Sequence, residues 1–140
     1  MIRNLMRFLP VVLFSVLLAG CNSDTTNAGD PDADNLSGAW YGAGFYDTDN
    51  NGNPFHMDFT MDLNLVHSGT LVQGSYKVVR PSRSMAGSIV GTFDGTNIQL
   101  TFSPHGSASG TVAGGVIRLN WIEGAESGWH LSGPVQLGRH

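Results

Sequence analysis

The sequence predicts an all-β fold, eight antiparallel strands closed into an up-and-down barrel, and three observations carry that prediction. Apolar and polar residues alternate through Phe55-His56-Met57-Asp58-Phe59-Thr60-Met61-Asp62-Leu63-Asn64-Leu65, the mark of a strand with one dry and one wet face. Turn-forming pairs (Ser68-Gly69, Asp94-Gly95, Gly114-Gly115) recur between shorter runs of the same kind, so successive strands are expected to pair as neighbours. No run has helical spacing; on a helix Asp58 and Asp62 would share a face with Met61 and Phe59. Closure removes exposed strand edges, which favours a barrel; a two-sheet β-sandwich is the alternative.

The strands are expected at 39–46, 55–67, 70–79, 87–94, 98–103, 107–112, 116–122 and 128–137. In the fourth, Ile89, Gly91 and Phe93 alternate up to Asp94-Gly95, a pair suited to the positive φ angles of a type I′ turn. Ile98, Leu100 and Phe102 follow on the dry side of the fifth. Gly114-Gly115 leads into Ile117, Leu119 and Trp121, opposite Arg118 and Asn120. The last run puts Trp129, Leu131, Gly133, Val135 and Leu137 on one face. Glycines in the inward rows (Gly74, Gly91, Gly133) remove side-chain volume, and Met57 and Met61 are adaptable filler, a combination that tilts toward an interior cavity.

Ahead of this domain, placed at 37–138, the chain opens with Arg3 and Arg7 and a short apolar stretch, Phe8 to Leu18, that is too brief to span a bilayer and reads as a signal peptide over residues 1–20. Leu18-Ala19-Gly20-Cys21 resembles the lipobox of bacterial lipoproteins. That resemblance implies lipidation of Cys21, cleavage before it and acylation of the new amine with a chain such as palmitate; several acyl chains together make a stable membrane anchor. Cys21 is the single cysteine, so no disulfide forms within the chain. Asn22 stands where an Asp commonly signals inner-membrane retention, which directs the expectation to the outer membrane, facing the periplasm. Residues 21–36, with Asp24, Asp30, Asp32 and Asp34 among small polar residues, read as the lipidated cysteine and a disordered acidic tether.

The net charge of −4 becomes −6 on cleavage, because residues 1–20 hold two of the seven cations and no acid. An acidic chain without a Lys or Arg cluster excludes nucleic acid as an expected partner.

The start of the domain, Gly38-Ala39-Trp40, is similar to the Gly-x-Trp that opens many lipocalins and avidins. Gly74-Ser75-Tyr76 and Arg118-Leu119-Asn120-Trp121 resemble later avidin strands. The resemblance implies a small ligand-binding barrel. It departs at Gly42, where avidins have an Asn for biotin, and in 107–112, which lacks a tryptophan. The arginine that lipocalins pack on their first tryptophan has no counterpart within the expected strands, since Arg139 lies past the last of them. Trp40 and Trp121 are therefore expected as core filler rather than ligand contacts.

The loop Asp47-Thr48-Asp49-Asn50-Asn51-Gly52 matches the first half of a calcium loop, and Asp58 falls at its twelfth position. Asp47, Asp49, Asn51 and Asp58 are thus the candidate metal ligands, with calcium as the only candidate cofactor; the same residues also suit a hairpin of Asx turns. His56, Asp58 and Asp62 share the wet face of the long strand, and His105 is expected at a loop tip. No residues have the spacing of a nucleophile with its base, so no catalytic residues are assigned and an enzyme is not expected. The functional expectation is a membrane-anchored lipoprotein whose barrel binds an apolar or amphipathic small molecule or an envelope protein. The alternatives are a filled, structural or envelope-assembly barrel without a ligand, and an enzyme acting at the barrel mouth.

Overall fold

The computed structural model describes residues 35–49, 53–124 and 131–140. Cys21, the signal segment and most of the tether lie outside them, as do Asn51 and Trp129. Eight strands follow in order: β1 (Gly38–Thr48), β2 (Pro54–Ser68), β3 (Leu71–Arg80), β4 (Arg83–Phe93), β5 (Asn97–Ser103), β6 (Gly106–Ala113), β7 (Val116–Glu123) and β8 (Ser132–Arg139). Each pairs antiparallel with its sequence neighbours, and β8 returns to β1 to close the barrel. Every strand is paired on both edges and the core closes on itself, so this unit needs no other segment to complete it.

The alternation read in the sequence is the inside–outside alternation of the wall. Phe59, Met61, Leu63 and Leu65 of β2 are buried, as are Ile98, Leu100 and Phe102 of β5, while Asp58, Asp62 and Asn64 between them are exposed. Trp40 and Trp121 are core residues, 2% and 0% exposed. The edges of Phe102 and Tyr76 meet the Trp121 side of the core, with Phe102 at 4.6 Å between ring centroids, an edge-to-face contact that aromatic quadrupoles favour.

The inward glycines do something other than vacate space. A Cβ on Gly42, Gly110 or Gly133 would stand 1.8 Å from the carbonyl oxygen of Gln136, Arg118 or Phe45 respectively, and one on Gly74 would stand 2.0 Å from that of Asn64. The neighbouring strand's backbone occupies the volume that a side chain would need. Glycine here permits the close approach by which a small barrel coils, so these positions do not open the interior volume expected of them.

Several sequence expectations are corrected. Asp94-Gly95 is not a type I′ turn: Gly95 has φ +99°, but no residue other than glycine has positive φ among those described. The Asp94 carboxylate instead accepts from the backbone N–H groups of Thr96 and Asn97 and from the Asn97 side chain, which makes a three-residue loop and holds the Asp94 carboxyl below its usual range. Gly114 and Gly115, with φ +57° and +72°, do form the tight turn that needs two left-handed residues. Strand β4 begins at Arg83 rather than at residue 87, since Pro81-Ser82 already turns the chain. Strand β8 runs to Arg139 rather than ending at residue 137, and Arg139 pairs with Trp40. Its guanidinium lies over the Trp40 ring at 5.0 Å and donates to the carbonyls of Ser37 and Asn35.

The chain enters and leaves at one rim. There Leu36, at the end of the expected tether, is fully buried and caps the core. Its carbonyl accepts from Trp40 Nε1 at 2.9 Å, and its N–H faces His67 Nδ1 at 3.4 Å. The strand ends Thr48 and Pro54, Arg80 and Arg83, Ser103 and Gly106, and Glu123 and Ser132 lie at the opposite, far rim.

Candidate functional site

Three inward rows end in polar side chains at the far rim. In β1 the row Trp40, Gly42, Gly44 continues to Tyr46. In β3 Val72, Gly74, Tyr76 and Val78 continue to Arg80, and in β7 Ile117, Leu119 and Trp121 continue to Glu123. Closure brings the three together. Glu123 is 0% exposed; its Oε2 accepts from Arg80 Nη1 at 2.9 Å and from the Tyr46 hydroxyl at 2.8 Å. Trp121 Nε1 donates to the Tyr46 oxygen at 3.2 Å, and the Arg80 guanidinium stands 5.9 Å from the centre of the Tyr46 ring. Burial, then the adjacent Glu123 carboxylate, holds the Tyr46 hydroxyl well above the ordinary tyrosine range. Two buried atoms of the cluster, Arg80 Nε and Glu123 Oε1, have no hydrogen-bond partner among the described residues.

Above this cluster opens a recess of about 280 Å³, lined by Phe55, Met57 and Leu131 on its apolar side and by Arg80, Ser82 and Arg83 on its polar side. The tight Pro81-Ser82 turn is what sets two arginines side by side, since Arg80 and Arg83 pair across it. Neighbouring His105, expected at a loop tip, is half-buried, and its Nδ1 shares a hydrogen bond with the Tyr76 hydroxyl. A larger depression, about 470 Å³, lies on the outer wall among Val90, Thr92, Gln99, Thr101, Ser109 and Ile122. It has no titratable side chain, and nothing in it converges on a ligand.

The sequence-based metal candidates fall elsewhere. Asp47 and Asp58 are on the outer wall, and Asn51 lies outside the described residues. Asp49 turns its carboxylate onto Asn53, four residues on, taking the backbone N–H at 2.8 Å and the side-chain amide at 3.1 Å, one on each oxygen. His56 Nε2 lies 3.2 Å from Asp58 Oδ1, with both side chains mostly in solvent, where such a pair is worth little. Among the described residues no three His, Cys, Asp or Glu side chains gather as a metal site. If Asp47, Asp49 and Asn51 hold calcium, millimolar calcium is expected to raise the melting temperature and Asp49→Ala to abolish the rise; an unchanged melting temperature leaves a plain hairpin loop.

Arg80, Glu123 and Tyr46 were not singled out in the sequence. The signal that marks them is parity: each sits where an apolar, inward row would place its next residue.

Comparison with protein-family models, with curated proteins and with solved structures finds no match to this chain.

Proposed function

We propose that this protein is a lipoprotein of the bacterial outer membrane, anchored through Cys21, whose barrel binds a small amphipathic molecule at its far rim. The observation that carries the reading is the recess over Phe55, Met57 and Leu131, an apolar floor beside converging polar groups in an otherwise filled barrel. Because the chain enters at the other rim, a lipid on Cys21 would leave this recess on the side away from the membrane. Binding is favoured over catalysis because the Glu123 carboxylate is wholly enclosed and already held by Arg80 and Tyr46.

The test uses residues 22–140 and the neutral dye N-phenyl-1-naphthylamine, whose emission rises in apolar surroundings. Saturable binding is expected, weakened at least tenfold by Met57→Trp, which fills the recess. A folded domain that takes up no dye would favour the second reading, a structural barrel without a ligand, which the dense core also suits. The anchor is tested separately: Cys21→Ser should end incorporation of a fatty-acid analogue and release the protein from the membrane fraction.

A further inference from the structure

Resting on the recess as a binding site, we propose that its ligand is a small monocarboxylate with an apolar or aromatic body, its carboxylate seated between Arg80 and Arg83. The charges around the recess point to a single negative charge. Of the five cationic side chains after residue 20, two line it, although the chain as a whole is acidic. Glu123 beneath balances one of them through Arg80 at 2.9 Å. Arg83 is exposed and has no acidic partner among the described residues, so among those residues the recess carries one uncompensated positive charge. A dianion would bring a second charge close to the Glu123 carboxylate, with no cation left to balance it.

Arg80 adds a built element. It is 8% exposed, lines the recess, and has its Nε buried without a partner while Nη1 is tied to Glu123. Its guanidinium is thereby held fixed, a preorganised plane of the kind that recognises planar carboxylates. Ser82, also on the lining, offers a hydroxyl to the same head.

Size narrows the class further. At about 30 Å³ for each water-sized group, the recess of about 280 Å³ takes on the order of ten non-hydrogen atoms. That is a short-chain or single-ring acid, too small for a long acyl chain.

Calorimetry on residues 22–140 separates the possibilities with three probes of one size: 4-phenylbutyrate, 4-phenylbutan-1-ol and phenyl phosphate. The carboxylate is expected to bind at least tenfold more tightly than the alcohol. Arg83→Gln should remove most of that difference by weakening the acid far more than the alcohol, and added salt should weaken only the charged probes. Met57→Trp should block both the acid and the alcohol. Equal affinity for acid and alcohol, or a preference that survives Arg83→Gln and salt, overturns the carboxylate assignment and leaves the recess as a neutral site. Tighter binding of phenyl phosphate than of phenylbutyrate overturns the single-charge argument. Binding of none of the three at millimolar concentration overturns both this inference and the reading on which it rests.

Discussion

Glu123→Ala is expected to destabilise the barrel by about 3–5 kcal/mol, the range seen when one partner of a buried ion pair is removed. Arg80 would be left in a site where its side chain is 5% exposed, with no counter-charge and with Nε already lacking a partner. The Tyr46 hydroxyl would lose its acceptor at the same time. The double variant Arg80→Met/Glu123→Leu should recover most of this loss, because apolar groups of similar volume avoid desolvating two charges. Urea unfolding of the three proteins measures it, and a single variant as stable as the parent would show that the pair is not buried in solution. The cluster also sets an alkaline limit. Burial and the Glu123 carboxylate keep Tyr46 protonated in the folded protein beyond the ordinary tyrosine range, so its contribution is intact below pH ~10 and is lost as pH rises beyond that. Tyr46→Phe should flatten the fall in stability above that pH.

Gly110→Ala is expected to cost about 3 kcal/mol or more, at or beyond the upper end of overpacking in a core. One methyl carbon would lie 1.8 Å from the Arg118 carbonyl oxygen, and the obstacle is backbone held in the β6–β7 ladder, not a side chain that can rotate away. Gly42→Ala and Gly133→Ala meet equivalent carbonyls and should behave alike. Gly138→Ala is the internal control. It lies in a strand, has no positive φ and meets nothing within 4 Å, so it should be neutral or stabilise by about 0.4–1 kcal/mol through the unfolded chain. If Gly110→Ala and Gly138→Ala unfold at the same urea concentration, the strands do not approach as closely as described.

The strands were legible in the sequence because a wall between core and water imposes a period of two on each of them, and β2 shows it almost without interruption. What the period does not encode is what fills the space next to a glycine. Gly74 and Gly133 look like missing volume in the sequence, whereas the paired strand supplies its backbone there, β2 beside Gly74 and the distant β1 beside Gly133. The far-rim cluster escaped for a related reason. Glu123 meets Arg80 across 43 residues and Tyr46 across 77, with no local pattern linking them. A charged residue at the end of an apolar row also resembles an ordinary strand terminus. Arg139 was missed in the same way, as one more step of the row through Leu131, Gly133, Val135 and Leu137. The calcium motif is a matter of spacing alone: Asp49 bonds Asn53 within its own loop, and Asn51 lies outside the described residues.

The seam between β1 and β8 has a consequence for how the chain is made. Trp40 and Arg139 belong to the first and last strands, so their pairing closes the longest loop in the molecule and bears the largest entropy of closure. In vectorial synthesis β1 precedes β8 and keeps one edge open until the eight residues of β8 emerge. The meander from β1 to β7 can assemble in that interval as an incomplete sheet with two unprotected edges, the geometry that invites pairing with another copy. A nascent or truncated chain lacking β8 is thus the aggregation-prone species of this protein. Arg139, laid across Trp40 once β8 arrives, fastens the sheet shut at the point where it would otherwise reopen.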